Sequence, residues 1–381
     1  MIVTAYPQIS VVLTSYNHAK YLREAIDSVL SQTFQDVELI IVDDCSTDDS
    51  WEIIQSYSDP RIRAWRAPEN QRTATVYEGI HMATGKYLAM HHSDDRWHES
   101  KLEKQWHWLE EHPEDIAVFT HVQTIDEDGR NASFPIMACF EQPNRSRAQW
   151  LRFFFDNGNC LCHPSVMMPT SYAKQLYTSY GMTSINDFRN WVLTCIHHQI
   201  HVIEEKLCCY RVCDNAGNDS TPTVGQIRKY NMELPFILEC YEKITDANFF
   251  MEIFPEAKKF ISHEKMNMEY AFAMLCLKTE WPPYHYYGIN KLIRMLNCKE
   301  IREQLHDIYG FTTKNMSELA KKYDPFFIPG RDTLRRELEQ RKQFESNLHA
   351  LPFYRKMFYS IIGWTVYKDN IQSDLETWYK K

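Results

Sequence analysis

Apolar runs of strand length alternate with helix-period segments through the first 130 residues, and this alternation limits the folds open to the chain. Between the first two runs, apolar residues at positions 21, 22, 25, 26, 29 and 30 fall on one face of a helix. Strands separated by helices are typical of a mostly parallel sheet with right-handed crossovers and helices on both faces. We therefore predict an α/β fold with strands at 9–14, 37–42, 62–67, 87–90 and 116–125.

Small polar residues stand where the first two helices should begin. The side-chain oxygens of Asn17 and Ser46 are of the type that accepts hydrogen bonds from the free amide groups of a first helical turn. We expect each to cap the helix that follows it.

Beyond Gly225 the pattern changes to long stretches rich in Glu, Lys, Leu and aromatic residues, with few strand signals. The stretch 215–225 concentrates Asn, Asp, Thr, Pro and Gly, which is typical of a connection between folded parts. We predict two domains, an α/β domain at 1–225 and a mainly helical domain at 226–381.

Composition and charge limit the class of protein. Of 381 residues, 44% are apolar and 24% charged, which is enough for a sizeable core. Residues 1–225 carry 18 basic and 30 acidic side chains, a net charge of −12, whereas 226–381 carry 24 and 21, a net charge of +3. An acidic first half argues against nucleic-acid binding. Eleven cysteines behind an N-terminus without a signal-peptide pattern indicate reduced thiols and a cytoplasmic location.

Polar side chains follow three predicted strands. They are the group from Thr14 to Asn17, the pair Asp43 and Asp44, and the group that ends in Asp94 and Asp95. The carboxyl ends of parallel strands meet at one edge of a sheet, where ligands bind beside the topological switch point. Paired carboxylates suit a hard cation such as Mg²⁺ or Mn²⁺, although an aspartate before a helix is also a common N-cap. Glycine-rich dinucleotide and P-loop motifs are absent from the sequence.

Several motifs follow one another in a recognisable order: ISVVLTSYN at 9–17, SQT at 31–33, VDDCSTD at 42–48, ATGKY at 83–87, SDD at 93–95, HPSVM at 163–167, ND at 186–187 and YRV at 210–212. This order and spacing resembles the signature of family 2 glycosyltransferases, of the inverting GT-A type, over about residues 8–215. The resemblance implies a Rossmann-like GT-A sheet and transfer of a sugar from a nucleotide-sugar donor, usually UDP-linked.

The resemblance also implies roles for residues, position by position. They are Thr14, Tyr16 and Asn17 at the nucleotide, Asp44 on its base, Arg72 on the donor, Asp94 and Asp95 at a metal and at the ribose or donor sugar, His163 and Arg211 at the diphosphate or acceptor, and Asp187 as catalytic base.

The expected chemistry explains these residue types. A diphosphate leaving group needs a divalent cation, Mn²⁺ or Mg²⁺, to offset its growing negative charge. One carboxylate must deprotonate the acceptor hydroxyl, and direct displacement then inverts the anomeric carbon. Asp187 is the single carboxylate between Asp156 and Glu204, which supports it as this base.

Three positions depart from the family pattern. His92 stands where an acidic residue is common, Asn186 precedes the base in place of an acid, and Cys213 replaces a frequent histidine. These departures leave open a second hypothesis, a non-catalytic nucleotide-sugar-binding or scaffold protein with a decayed site. A nucleotidyltransferase is disfavoured, because its glycine- and arginine-rich phosphate loop is missing.

The acceptor is not defined by sequence and is left as a saccharide, a lipid-linked sugar or a protein. Residues 226–381 are expected to contact the acceptor, a membrane or partner, or a second copy of the chain. In segment 351–367, Phe353, Met357, Ile361 and Trp364 share one helical face beside Arg355 and Lys356. This pattern predicts either a packed core helix or a helix on an anionic membrane surface, which would put the protein at the inner face of the membrane.

Overall fold

The structure is a computed structural model that describes residues 6–213, 223–262 and 265–323. These residues form two compact units, one made of 6–150 with 158–213 and the other of 151–157 with 223–262 and 265–323. The segment 351–367 lies outside the described residues.

Eight strands in the described part of the first unit form a single sheet, in the order β3-β2-β1-β4-β7-β6-β8-β5. The strands are β1 (Ile9–Ser15), β2 (Val37–Asp43), β3 (Ile62–Arg66), β4 (Tyr87–His92), β5 (Arg96–Trp97), β6 (Asp115–Ile125), β7 (Met167–Pro169) and β8 (Gln199–Arg211). Strands β1 to β4 are parallel to one another and β6 is parallel to β8, whereas β7 and β5 run antiparallel to their neighbours. The predicted mostly parallel sheet is therefore confirmed.

Helices cover both faces of this sheet. They are α1 (Ala19–Leu30), α2 (Ser50–Gln55), α3 (Thr73–Met82), α4 (Lys101–Glu111), α6 (Thr170–Leu176) and α7 (Asn186–His197), whereas α5 (Arg147–Asn157) begins in this unit and ends in the second. Val11 and Leu13 of β1 pack in a core shared with α1, α2 and α4. On the opposite face a Cβ at Gly79 of α3 would lie 2.6 Å from Val12 Cγ1, so only glycine permits this close approach. Because successive β1 side chains are buried on alternate faces, the strand contains the adjacent apolar residues Val11, Val12 and Leu13, as is typical of a parallel strand buried on both faces.

The topological switch point lies at β1, which is flanked by β2 on one side and β4 on the other. Ser15 pairs with Asp43 across β1 and β2, and Thr14 pairs with His92 across β1 and β4. This register brings the ends of the three strands to one crevice, as the polar clusters in the sequence predict.

The expected caps at Asn17 and Ser46 are wrong. Helix α1 begins two residues after Asn17, whose Oδ1 accepts from the Thr47 amide at 2.7 Å. Ser46 Oγ donates to Asp43 Oδ1 at 2.5 Å, and α2 begins later, at Ser50. Both side chains bind the loops after β1 and β2 to each other and to the strand end, in place of the helices that follow.

The second unit is mainly helical over its described residues, which agrees with the predicted helical C-terminal region. Besides the last turns of α5 it contains α8 (Val224–Cys240), α9 (Ala247–Ile253), α10 (Met268–Cys276), α11 (Pro282–Asn297), α12 (Lys299–Tyr309) and α13 (Thr313–Lys322). Phe155 lies against Tyr241, Phe254, Phe272 and Tyr284, with ring centroids 4.9 to 6.1 Å apart. The described helices include no stretch with the length and apolar character that spanning a bilayer requires.

Candidate active site

The loops after β1, β2 and β4 are joined by backbone hydrogen bonds at the crevice. Asp44 N donates to Ser15 O at 2.8 Å, and Ser93 N donates to Thr14 O at 3.1 Å. Thr14 is half-buried between its neighbours, whereas Tyr16 and Asn17 are exposed beyond the strand end. The structure thus brings these three predicted nucleotide-binding residues to the rim of one crevice.

Asp44 organises a neighbouring loop. Its carboxylate accepts from Gln71 N at 2.7 Å, Arg72 N at 2.8 Å and Thr75 Oγ1 at 2.5 Å. Arg72, whose side chain is exposed, is held by this contact at a φ of 52°, in the left-handed region that costs a non-glycine residue energy. Asn17 and Cys45 also have positive φ values, 52° and 60°. Strained backbone is therefore found in each of the loops that follow β1, β2 and β3.

A group of three side chains follows β4. His92, Asp94 and Asp95 each present a possible metal-ligand atom, and these atoms lie within 4.8 Å of one another. Asp95 is 1% exposed, and its Oδ1 accepts from Arg211 N at 2.9 Å. Its Oδ2 is buried without a hydrogen-bond donor and lies 3.9 Å from His92 Nδ1. Burial, with the nearby Asp94 charge, raises the pKa of Asp95 well above its usual range.

This group fits a divalent cation. Bringing a carboxylate into a water-poor site is costly unless a positive charge compensates it, and Asp95 Oδ2 has no donor of its own. A cation bound between Asp94, Asp95 and His92 would supply that charge with two oxygen ligands and one nitrogen ligand.

Arg211 is buried beneath the loop that carries Asp94 and Asp95. The residue is 1% exposed, and its Nε donates to the backbone oxygen of Asp94 at 2.7 Å. Its remaining guanidinium nitrogens contact Asp126 O and the Glu24 carboxylate. These contacts hold the loop that carries Asp94 and Asp95. The predicted role of Arg211 at the diphosphate or acceptor stays a prediction.

A chain of hydrogen bonds leads away from His92. His92 Nε2 and His163 Nδ1 lie 3.1 Å apart, and His163 Nε2 lies 2.9 Å from Tyr177 Oη. Burial, and secondarily the neighbouring His92, lowers the pKa of His163 well below its usual range. Burial, followed by the charge of Asp187, raises the pKa of Tyr177 well above the ordinary phenol value. The antiparallel pairing of β7 with β4 explains the contact between the two histidines, because it returns the residues before β7 to the carboxyl end of β4.

Asp187 lies in the first turn of α7 and is half-buried. Asn159 Nδ2 donates to its Oδ2 at 2.8 Å. The positive end of the helix dipole favours a negative charge at this position. The preceding Asn186 donates to Tyr77 Oη, so it supports the start of the helix.

Sequence reasoning missed several residues of this site. In the sequence, His92 is recognisable only as a departure from the family pattern. In the structure its ring lies with Asp94 and Asp95 in one group of possible cation ligands, called here the cation-ligand group. The position of His92 two residues before Asp94 was the available signal. Tyr177 and Glu24 carried no local signal, because their contacts with His163 and Arg211 depend on the order of the strands. Cys213, the third departure, donates from Sγ to Tyr21 Oη at 3.7 Å.

The mostly parallel sheet, with carboxylates gathered at its switch point, has the arrangement of the GT-A class of glycosyltransferase folds. Comparison with known proteins agrees: the family described as glycosyl transferase family 2 matches residues 10–176. An uncharacterised glycosyltransferase of Methanocaldococcus jannaschii is 32% identical over 213 residues, which cover 54% of this chain and 71% of the relative. The chain belongs to glycosyltransferase family 2 and is a glycosyltransferase.

Two further likenesses extend the comparison. The putative teichuronic acid biosynthesis glycosyltransferase TuaG of Bacillus subtilis is 38% identical over 126 residues, which cover 32% of this chain and 50% of TuaG. The crystal structure of residues 1–349 of S. aureus TarS in complex with UDP has a TM-score of 0.52 and 16% identity, covering 76% of this chain and 92% of that one. At this identity the likeness to TarS concerns the fold.

Proposed function

We propose that the protein transfers a sugar from a UDP-linked donor to a hydroxyl acceptor, with a divalent cation bound and with inversion at the anomeric carbon. The observation that carries the proposal is the buried Asp95, with an unpaired carboxylate oxygen, in one crevice with Asp94 and His92 at the switch point of a GT-A sheet. The structures of TarS with UDP and with UDP-GlcNAc support a uridine donor.

The nucleotide would bind across the ends of β1 and β2. Thr14, Tyr16 and Asn17 would line its pocket, and Tyr16 offers an exposed aromatic face to the base. Asp44 already accepts three hydrogen bonds, so a base donor would have to use the remaining acceptor capacity of its carboxylate. Arg72, exposed on the loop that Asp44 holds, would reach the donor phosphates or sugar.

Asp94 and Asp95 would hold Mn²⁺ or Mg²⁺, which supplies positive charge to the departing diphosphate. Arg211 keeps both aspartates in place through Asp94 O and Asp95 Oδ1. His163 closes this side of the crevice and fixes the ring of His92.

Asp187 is proposed as the base. Its carboxylate would take the proton of the acceptor hydroxyl while the acceptor oxygen bonds to the anomeric carbon and the bond from that carbon to the diphosphate oxygen breaks. General-base catalysis of this kind contributes about 10²–10⁴-fold. Asn159 holds the carboxylate in position, and the first turn of α7 stabilises its charge.

The acceptor remains a saccharide, a lipid-linked sugar or a protein, and residues 226–381 are proposed to contribute to its binding or to contacts with a membrane or a second copy. A cytoplasmic location, and the domain limits at 225 and 226, stay predictions.

The rival hypothesis is a non-catalytic nucleotide-sugar-binding protein. One reason for it was His92, and the membership of His92 in the cation-ligand group weakens that reason. Two measurements on purified protein separate the hypotheses. A thermal-shift panel of UDP- and GDP-sugars should show stabilisation by UDP-sugars, about 2.7 kcal/mol at 100 times Kd. Release of UDP from the stabilising donor with Mn²⁺ present supports the enzyme; binding without any release, with a range of hydroxyl acceptors, supports the rival.

A further inference from the structure

His92 differs from the two aspartates beside it in offering a nitrogen ligand. The ring lies at the end of β4, and its Nδ1 faces the buried Oδ2 of Asp95 at 3.9 Å. That separation is too long for a hydrogen bond, but an ion placed between the two atoms could reach both with ordinary ligand distances. Asp95 is only 1% exposed, and no hydrogen-bond donor reaches its Oδ2. A cation between Asp95 Oδ2 and His92 Nδ1 would compensate the charge of this buried carboxylate.

The hydrogen bonds behind His92 are compatible with a ligand role. An ion on Nδ1 requires the lone pair of that nitrogen, which leaves the ring proton on Nε2. Nε2–H can then donate to His163 Nδ1 at 3.1 Å, and His163 Nε2–H can donate to Tyr177 Oη at 2.9 Å. Ligating histidines usually donate their other N–H to such a partner, which fixes the tautomer and the orientation of the ring.

We propose that His92 is the third protein ligand of the cation, through Nδ1, and that it makes the site prefer first-row transition ions over Mg²⁺. This inference rests on the proposed function in one respect, that a divalent cation binds together with the nucleotide-sugar donor. It narrows the choice between Mn²⁺ and Mg²⁺ that the carboxylates alone leave open.

The chemical reason lies in the ligand set. Mg²⁺ strongly prefers oxygen ligands in an octahedron and keeps several waters, so an imidazole is a poor replacement for a carboxylate. Transition ions accept imidazole readily, with affinity that rises from Mn²⁺ through Co²⁺. A site of two carboxylates and one imidazole therefore favours Mn²⁺ and Co²⁺ over Mg²⁺, whereas three carboxylates would narrow the difference.

The direct test is pulsed electron paramagnetic resonance of the full chain loaded with Mn²⁺, with and without UDP. We expect a ¹⁴N coupling from a ligated imidazole in the wild type and its loss in His92→Asp and His92→Ala. The matched control is His98→Gln, because His98 is an exposed histidine six residues on that bonds Ser100 and lies outside the ligand group. This variant should keep the coupling.

Affinities measured by Mn²⁺ titration and Mg²⁺ competition provide the second readout. His92→Ala should weaken Mn²⁺ binding by about tenfold or more, on the scale known for altered metal ligands and their supports. His92→Asp should lower the ratio of Mg²⁺ Kd to Mn²⁺ Kd by about tenfold, since it restores a hard oxygen ligand. Because His92→Asp should still bind both ions, this variant distinguishes a changed ion preference from a loss of Mn²⁺ binding that comes only from misfolding.

Mn²⁺ that binds without nitrogen coupling, or with equal affinity in His92→Ala, overturns the inference, as does a wild type that binds neither ion. A ¹⁴N coupling to Mn²⁺ that disappears in His92→Ala supports the inference, even if the protein binds and cleaves none of the UDP-sugars. That last result would overturn the proposed function alone, so the two failures can be told apart.

Discussion

Asp95 is a buried acidic residue whose two carboxylate oxygens have different surroundings. The residue is only 1% exposed, although it follows the end of β4 and lies in a loop. One of its oxygens is tied to Arg211 N and the other has no donor. Without a cation, the folded protein carries an incompletely compensated carboxylate, which is a common signature of a functional site.

Asp95→Asn is expected to abolish Mn²⁺-stimulated release of UDP while the protein still folds, because the amide oxygen can keep the bond from Arg211 N. In EDTA the variant should be at least as stable as the wild type, since a neutral amide costs less to bury than a carboxylate. Donor turnover tests the expected loss of UDP release, and thermal denaturation in EDTA tests the expected stability. Asp128→Asn, at an exposed carboxylate, is the control and should change neither. Near-normal Mn²⁺ stimulation in Asp95→Asn would contradict the assignment.

Asp187→Asn should retain affinity for the donor but lower the transfer rate by at least about 10²-fold, the usual scale for loss of a general base. The substitution preserves shape, and its amide oxygen can still accept from Asn159. Initial rates over a range of donor concentrations separate KM from kcat. A loss of donor binding as large as the loss of turnover would make Asp187 a donor contact or a structural residue.

At the scale of single elements, α4 carries a lysine in an unusual position. Lys101 is fully buried in the first helical turn, where its Nζ donates to Gln105 Oε1 at 2.7 Å and lies 3.9 Å above the Trp97 ring. Burial lowers the pKa of Lys101 to about 7. The positive end of the helix dipole disfavours the charged form further.

A pH dependence of stability follows. Between about pH 7 and the ordinary lysine pKa near 10, the unfolded chain binds the Lys101 proton more fully than the folded protein does, so stability rises with pH. Lys101→Met should remove this contribution, of up to about 1.4 kcal/mol per pH unit. The stability of the variant relative to wild type is therefore highest at pH 7 or below and falls towards pH 9. Urea denaturation at several pH values measures the difference. Lys104→Met, at a half-buried lysine on the same helix that pairs with Glu205, should give a difference that does not vary with pH over this range.

Helices α10 and α11 pack closely through a glycine. A Cβ at Gly288 would lie 2.8 Å from the backbone oxygen of Ala273 and 2.9 Å from Leu277 Cγ. Gly288→Ala should therefore destabilise the protein by about 1–3 kcal/mol, the usual cost of overpacking. Gly225→Ala is the matched control, because its Cβ would meet only Thr223 Oγ1 at 3.8 Å and alanine favours a helix. Equal midpoints of thermal unfolding for the two variants would show that α10 and α11 can move apart freely.

At the scale of the whole molecule, the segment 351–367 lies outside the described residues and its two interpretations stay predictions. Vesicles with anionic headgroups distinguish them by co-sedimentation of the full chain and of a chain that ends at Asn347. A membrane-surface helix predicts that only the full chain pellets, and that salt releases it. A packed core helix predicts equal recovery of both chains in the supernatant at every salt concentration.

The sequence by itself determined the parts of this protein that depend on local pattern. Strands β1, β2 and β4 are buried on both faces, so each contains at least three apolar residues in succession, and α1 repeats its buried residues at helical spacing. The polar residues at the strand ends are visible in that alternation, and the motif order led to the correct family. By contrast, β5 and β7 have two and three residues, too few to show a period.

Only the tertiary structure decided how the site is held together. Arg211 and Asp95 are 116 residues apart in sequence, and His92 and His163 are 71 apart, so their contacts depend on which strands are neighbours. Strand order is set by the packing of the whole sheet, and no single segment encodes it. The same packing buried Asp95, tied Arg211 to the loop that carries Asp94 and Asp95, and placed His92 beside the two aspartates. Local sequence specifies which side chains reach the crevice, whereas the long-range contacts of the sheet fix their burial, their charges and their partners.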